Sequence, residues 1–209
     1  MTEEEAREWL RAQSVPRETF DRLSEFVRFL LMEAEGQNLI AASSFDTLWA
    51  RHIVDSAQLL LHVPRGSGSW LDIGSGAGFP GLVIGALSGH AVTLVEPRQK
   101  RAAFLKRGAE LLGIQSTAEI VQQKLEAMTS RSFSVISARA VAPLPRLLPL
   151  AHRFSSLDTI WLLPKGRSAD KELESVASSW HGDFTKVPSL TDPSASIVVA
   201  TKVRPGKLR

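Results

Sequence analysis

Helical spacing of apolar side chains dominates the first part of the chain, through about residue 64. Thr2 and Glu5 match the capping-box pattern that opens a helix, and Pro16 is placed to open the next one. A third helix is expected from about 45 to 61, after a polar break. The pattern therefore predicts a helical extension over residues 1–64.

Beyond a glycine- and serine-containing linker at 64–68, short apolar segments alternate with amphipathic ones. Such alternation is typical of an α/β domain, and we predict a doubly wound, mostly parallel, seven-stranded Rossmann-like sheet over residues 65–209. The last six residues, 204–209, are expected to be a mobile tail. The segments that we assign to strands lie near 70–73, 91–96, 118–121, 133–137, 158–163 and 196–203, and those that we assign to helices near 80–88, 99–112, 143–152 and 168–180.

Composition narrows the chemistry. The 209 residues contain no cysteine, which excludes disulfides, cysteine-based zinc sites and thiol nucleophiles, and we predict no metal site. The amino terminus lacks the pattern of a signal peptide, and no apolar run approaches the roughly 18 residues of a membrane span. We expect a cytoplasmic monomer with no membrane contact.

Charge is unevenly distributed along the chain. Residues 1–64 carry 6 basic and 11 acidic side chains, whereas residues 65–209 carry 19 and 11, a net charge of +8. A positive field over the predicted sheet suits a polyanion such as a nucleic acid, although the same asymmetry can serve solubility alone.

The most informative motif is a glycine-rich turn between a predicted strand and a predicted helix. After Asp72, glycines stand at Gly74, Gly76 and Gly78, so the backbone can approach a ligand closely. The dinucleotide fingerprint would need a further glycine where Phe79 stands, and that spacing therefore fails.

A carboxylate ends the second predicted strand. Glu96 follows Gly74 by 22 residues, and a carboxylate there can accept hydrogen bonds from both hydroxyls of a ribose. No triphosphate-binding Gly-Lys-Ser/Thr motif follows the glycines, and the chain has no tyrosine for a tyrosine-dependent dehydrogenase. S-adenosylmethionine is the adenosyl ligand that remains. Asp72 could act on the ligand through the loop backbone, could interact with the ligand's ammonium group, or could simply brace the turn.

Four sequence motifs are distinctive when taken together. They are Asp-x-Gly-x-Gly-x-Gly-Phe-Pro-Gly at 72–81, Lys-Arg-Ala-Ala-Phe-Leu at 100–105, Ala-Arg-Ala-Val-Ala-Pro at 138–143 and Arg-His-Ile-Val-Asp-Ser at 51–56. With these motifs the chain resembles the RsmG/GidB family of bacterial ribosomal RNA methyltransferases, over about residues 20–203. The resemblance implies an S-adenosylmethionine-dependent methyltransferase fold and methylation of guanine N7 in 16S ribosomal RNA, free or within the small ribosomal subunit. It also implies cofactor contacts at Gly74, Phe79, the Glu96-Pro97-Arg98 segment, Leu125 with Glu126, and Arg139.

Two of these cofactor candidates also follow predicted strands. Leu125 and Glu126 come after the third strand, where a turn can offer N–H groups to adenine, although Leu125 could equally be a core residue. Arg139 ends the fourth strand, and we predict it as the catalytic residue, holding a phosphate, the guanine edge or the cofactor carboxylate.

Guanine N7 presents a lone pair and no proton, so its methylation needs alignment and a suitable electrostatic environment but no general base. Carbon-5 methylation of pyrimidines would need the cysteine that is missing. The alternatives left open are a methyltransferase of a small molecule or a protein, and a non-catalytic S-adenosylmethionine-binding module that docks on RNA.

Candidate RNA-binding residues come from two segments. Lys100 and Arg101 belong to a basic run at the start of a helix, where cations oppose the helix dipole; phosphate contact or a solvated face would explain them. Arg51 and Asp55 lie four apart and could form a local ion pair, whereas the resemblance implies that the box containing Arg51, His52 and Asp55 closes over the pocket and holds the target nucleotide. The candidates are Asn38, Arg51, His52, Asp55, Lys100, Arg101 and Lys165.

Overall fold

The computed structural model describes residues 1–64 and 68–206. Residues 65–67 of the predicted linker and 207–209 of the predicted tail lie outside the described residues. The first two residues of that tail were wrongly predicted to be mobile, since Arg204 and Pro205 end the last strand.

The first two helices begin at the residues predicted from the sequence. Helix α1 (Glu3–Ala12) opens on a complete capping box, in which the Glu5 N–H donates to the Thr2 hydroxyl and the Thr2 N–H donates to the Glu5 carboxylate. Helix α2 (Arg17–Ala34) begins directly after Pro16. Its buried face carries Leu23, Phe26, Val27 and Leu30.

The predicted third helix is helical but not regular, so the expectation of one α-helix is wrong. The segment consists of a 3₁₀ helix (Ala42–Thr47), a π-helix (Trp49–Val54), the short α3 (Asp55–Ala57) and a second 3₁₀ helix (Gln58–His62). A π-helix is rare and is often found at functional sites. Here it contains Arg51 and His52.

Seven strands form one sheet in the order β3-β2-β1-β4-β5-β7-β6, which confirms the predicted fold class. Strands β1 to β5 are parallel, and β7 is antiparallel to both of its neighbours. The strands are β1 (Ser69–Ile73), β2 (Ala91–Val95), β3 (Ala118–Val121), β4 (Val135–Ala138), β5 (Ile160–Lys165), β6 (Trp180–Pro188) and β7 (Ser196–Pro205). The helices between them are α4 (Gly81–Ser88), α5 (Gln99–Leu111), α6 (Leu144–Ala151) and α7 (Ala169–Val176).

Strand β6 was not among the strand segments assigned from the sequence. The helix predicted over 168–180 ends earlier, at Val176. As an edge strand, β6 alternates partly buried and exposed side chains and has no fully buried position. Its hydrophobic signal is therefore weak.

Each face of the sheet has its own core. One core joins the amino-terminal helices to α4 and α5 and includes Trp70. The other joins α6 and α7 to the sheet and includes Trp161. Because Phe26 of α2 lies 5.9 Å from the Phe79 ring and 6.0 Å from the Phe104 ring, the extension shares its core with the sheet domain. The boundary at residue 64 stays a prediction.

Strand register sets the position of the candidate site. Ile73, the last residue of β1, pairs with Val95 of β2 and with Ala138 of β4. The residues that follow these three strand ends therefore lie side by side at the carboxyl edge, where doubly wound sheets bind ligands. Within residues 1–64 and 68–206, no helix has the length and apolarity needed to span a bilayer.

Candidate active site

The glycine loop leaves β1 in a conformation that side chains would obstruct. Gly74 and Gly78 have φ angles of +66° and +89°. A Cβ on Gly78 would lie 2.4 Å from a Leu82 methyl carbon, and one on Gly74 would lie 2.7 Å from a Val141 methyl carbon. The sequence therefore needs glycine at these two positions to bring the backbone to the sheet edge.

Asp72 braces this loop from below. Its carboxylate is fully buried, and it accepts hydrogen bonds from the Gly81 N–H (3.2 Å) and the Ser137 hydroxyl (2.8 Å). The indole N–H of Trp70 donates in turn to Ser137 at 2.8 Å. Burial raises the pKa of Asp72 to about 6. Of the roles left open for Asp72, the structure supports the brace, and its contribution to cofactor binding stays a prediction.

Glu96 connects the loop to the second strand. Its two carboxylate oxygens accept hydrogen bonds from the N–H groups of Gly76 (3.2 Å) and Arg98 (2.9 Å). A carboxylate oxygen can accept more than one hydrogen bond, so acceptor capacity remains for ribose hydroxyls. The cleft beside Glu96 has a volume of about 410 Å³, and its lining includes Gly74, Glu96, Pro97, Arg98, Leu125 and Glu126.

Phe79 does not line this cleft. The ring is buried and stacks on the His52 imidazole at 4.8 Å between ring centroids. Gly78 is also buried. These two positions therefore shape the loop, and the predicted cofactor contact at Phe79 stays a prediction.

The turn after β3 is held by an arginine that the sequence did not single out. Arg153 donates from one terminal nitrogen to the carbonyl oxygens of Leu125 (2.9 Å), Glu126 (3.1 Å) and Met128. With its carbonyls turned toward Arg153, the turn keeps Leu125 against the cleft. No local pattern links Arg153 to this turn, because its partners lie 25 to 28 residues earlier.

A second cavity of about 620 Å³ adjoins the cleft, and the two share Ala140, Val141 and Ala142 in their walls. Arg139 lines this larger cavity. Its guanidinium donates to the Arg51 carbonyl oxygen (3.0 Å), the Asp55 carboxylate (3.1 Å) and Nδ1 of His52 (2.8 Å). The structure thus brings together three residues of the predicted Arg-His-x-x-Asp box and the predicted catalytic arginine.

His52 is neutral in this arrangement. A guanidinium can only donate, so Nδ1 of His52 accepts and the proton is assigned to Nε2. Burial, with Arg139 and Arg51 adding repulsion, lowers the pKa of His52 to about 3. The Nε2 atom is buried and has no partner among the described residues.

Asp55 pairs with Arg139 and not with Arg51, so the local ion pair considered for Arg51 and Asp55 is wrong. Its other oxygen accepts from the Gln58 side-chain amide (2.8 Å) and the Thr191 hydroxyl (3.2 Å). Gln58 also accepts from the Leu190 N–H at 2.8 Å. The loop between β6 and β7 is thereby tied to the box by two residues that sequence reasoning missed.

Two of the candidate RNA-binding cations are engaged within the protein. Lys165 is 9% exposed, pairs with Glu172 at 2.9 Å and donates to the Ala142 carbonyl at 3.0 Å, so it holds the wall between the two cavities. Arg101 donates to the Asn38 carbonyl at 2.7 Å and lies 4.0 Å from Glu96. Both cations therefore have partners within the protein, and their predicted contact with RNA stays a prediction.

The remaining basic residues of α5 face outward. Lys100, Lys106 and Arg107 are exposed, and so is Arg98, the residue that precedes the helix. Asn38 is exposed beside Arg101. Phe104 and Leu105 of the same helix are core residues.

Replacement of Asp72 by asparagine tests the buried brace through the pH dependence of stability. The pKa of this carboxyl is raised from 3.8 to about 6 on folding, so the unfolded chain gives up the proton first as the pH rises. The wild-type free energy of unfolding should lose about 2 kcal/mol between pH 4 and pH 7 through this group, and Asp72→Asn should lack that loss.

Urea unfolding at several pH values measures the difference. Asp158→Asn, at an exposed carboxylate, serves as the control and should follow the wild-type curve. Parallel pH curves for Asp72→Asn and the wild type would show that Asp72 is not held protonated by burial.

Comparison with known proteins identifies the chain's relatives. A family model described as "rRNA small subunit methyltransferase G" (GidB) matches residues 19–197. The chain is 55% identical to "Ribosomal RNA small subunit methyltransferase G" of Rhizorhabdus wittichii over 98% of this chain and 95% of that protein. It is 48% identical to the protein of the same name from Zymomonas mobilis, over 99% and 97% of the two chains.

Solved structures support the fold. A ribosomal protein L11 methylase from Lactobacillus delbrueckii subsp. bulgaricus superposes with a TM-score of 0.60 at 17% identity, covering 76% of this chain and 79% of that one. A TehB-like SAM-dependent methyltransferase from Corynebacterium glutamicum gives 0.57 at 17%, covering 84% and 98%. The predicted family, fold class, methyltransferase activity and S-adenosylmethionine cofactor are confirmed at the level of the family. The chain belongs to the rRNA small subunit methyltransferase G family.

Proposed function

We propose that the protein transfers the methyl group of S-adenosylmethionine to N7 of a guanine in 16S ribosomal RNA. The observation that carries this proposal is the pair of adjoining cavities at the carboxyl edge of the sheet. One contains the glycine loop and Glu96, the other contains Arg139, and both are walled by Ala140–Ala142. The methyl donor can thus lie on one side of the Ala140–Ala142 segment and the methyl acceptor on the other.

The smaller cleft fits an adenosyl cofactor. Gly74 brings the loop backbone to the cleft wall, Glu96 retains acceptor capacity for the ribose, and Leu125 supplies an apolar surface for the adenine ring. The cofactor contributes an electrophilic methyl group on a sulfonium. The chain's own residues bind and align it.

The larger cavity fits an acceptor atom that needs no deprotonation. Among the described residues of its wall, Asp55 and Glu172 are ion-paired and His52 is a weak base. Hydrogen bonds from Ser194 hold the pKa of Asp192, another carboxylate of this wall, below its ordinary value, so this group is also a weak base. Such surroundings suit guanine N7, whose lone pair is free, better than an N–H or O–H acceptor that must lose a proton.

Arg139 contributes binding and electrostatics. A guanidinium has five N–H donors, and three are engaged with Arg51, His52 and Asp55. The two that remain can donate to guanine O6 or to a phosphate. Because positive charge develops on the purine during transfer, a donor on the O6 edge selects the base more than it accelerates the reaction.

The exposed cations of α5 supply the sequence-independent part of RNA binding. Lys100 and Lys106 of this helix are exposed, and so is Arg98, which precedes the helix and lines the cleft. Phosphate contacts of this kind position RNA and make binding salt-dependent. An RNA substrate of the small subunit also supports a cytoplasmic location, and monomeric action stays an expectation.

The direct test uses small ribosomal subunits, and separately naked 16S RNA, from cells that lack the enzyme. The protein is incubated with cofactor carrying a labelled methyl group, and the label is then mapped. We expect one labelled guanine, methylated at N7. Label on another atom, or none in either RNA, would contradict the proposal, while the comparison of the two substrates shows which of them is used.

Two substitutions should separate cofactor binding from RNA binding. Glu96→Gln removes the charged acceptor and should weaken cofactor binding by about tenfold. Lys100→Gln should leave cofactor binding unchanged and reduce the salt slope of RNA binding by about one.

Calorimetry with cofactor and RNA-binding titrations at several salt concentrations provide the measurements. Lys202→Gln, an exposed position at the far end of β7, is the matched control for Lys100→Gln and should retain the wild-type slope. Identical slopes for Lys100→Gln and Lys202→Gln would remove Lys100 from the RNA-binding surface.

A further inference from the structure

The carboxylate of Glu3 lies at the beginning of the π-helix. It accepts hydrogen bonds from the N–H groups of Trp49 (3.1 Å) and Ala50 (2.8 Å), the first two residues of the π-helix. The N–H groups that begin a helix have no partner within it, and a carboxylate there satisfies them and complements the helix dipole. Glu3 thus caps the π-helix from a distance of 46 residues in sequence.

Helix α1 is held firmly in the position that this cap requires. Ala6 and Leu10 are buried against the core. The Arg7 guanidinium lies 5.0 Å from the centre of the Trp49 ring, and Phe20 stacks on the same ring at 4.8 Å. Glu3 therefore presents its carboxylate to the π-helix from a packed helix.

The π geometry changes the backbone hydrogen bonds around Arg51. In a regular α-helix the Asp55 N–H would donate to the Arg51 carbonyl, four residues earlier. Here the Asp55 N–H donates instead to the carbonyls of Ala50 and His52. The Arg51 carbonyl oxygen accepts the 3.0 Å hydrogen bond from Arg139, so the course of the backbone through the π-helix determines where this acceptor lies.

We propose that Glu3 is a positioning residue for methyl transfer: its carboxylate fixes the π-helix that directs the Arg51 carbonyl, His52 and Asp55 to Arg139. This inference rests on the proposed function. Glu3 precedes residues 19–197, the part of the chain that the family model matches. Helix α1 would thus be a working part of the active site and more than a support for the fold.

The test compares Glu3→Gln and Glu3→Ala with Glu4→Gln in the full chain. Glu4 is exposed, and the nearest approach of its carboxylate to Arg11 is 4.0 Å, so it controls for loss of charge on α1. Glu3→Ala should lower kcat for RNA methylation by about tenfold, with a smaller loss in Glu3→Gln, because a small displacement of catalytic groups is costly. The cofactor Kd should not change, since neither α1 nor the π-helix lines the cofactor cleft.

A second readout and a stability control distinguish positioning from stabilisation. Hydrogen exchange should show faster exchange of the Trp49 and Ala50 amides in the Glu3 variants. Val203→Ala removes buried methyl groups in the core on the other face of the sheet and should lower Tm while leaving kcat at its wild-type value well below Tm. A loss of kcat in Val203→Ala that scales with Tm as it does in Glu3→Ala would reduce Glu3 to a stabilising role.

The outcomes separate this inference from the proposed function. A wild-type protein that methylates guanine N7, together with Glu3 variants of undiminished kcat, overturns only the role of Glu3. A wild-type protein that labels no guanine overturns the proposed function and the inference with it. A kcat loss with unchanged cofactor Kd supports both.

Discussion

The ion pair between Arg139 and Asp55 is the interaction on which the site depends. The two side chains are 19% and 17% exposed and come from opposite parts of the architecture, the end of β4 and the helical segment before β1. Removal of one partner from such a pair leaves a poorly solvated charge behind, at a cost of about 3–5 kcal/mol when burial is complete. The pair is therefore surrounded by groups that satisfy it. Gln58 and Thr191 hold the second Asp55 oxygen, and Arg51 and His52 accept from Arg139.

The cofactor cleft is built in the same way: side chains behind its wall form hydrogen bonds that hold the residues facing the ligand in place. Asp72 and Ser137 hold the glycine loop from beneath, Arg153 holds the turn at Leu125, and Lys165 holds the carbonyl of Ala142. None of these side chains needs to touch a ligand. Each fixes a piece of backbone that lines a cavity.

The sequence correctly predicted those parts of the site whose positions follow from the order of strands along the chain. Parallel strands end at one edge, so Gly74, Glu96 and Arg139 could be placed together from the strand pattern alone. It failed where a partner is distant in sequence. The partners of Lys165 and Arg101 within the protein were not predicted, because they are carbonyls and carboxylates brought close only by folding. Glu3, Gln58 and Arg153 were missed for the same reason. The π-helix was missed because apolar spacing over six residues does not distinguish it from an α-helix.

We propose that Arg139 and Asp55 act as one unit in methyl transfer. A double-mutant cycle on kcat tests this coupling, with Asp55→Ala, Arg139→Ala and the double variant acting on 16S ribosomal RNA. The double variant should be no slower than the slower single variant, because either substitution already dismantles the unit. Rate losses that multiply in the double variant would show two independent residues and contradict the coupling.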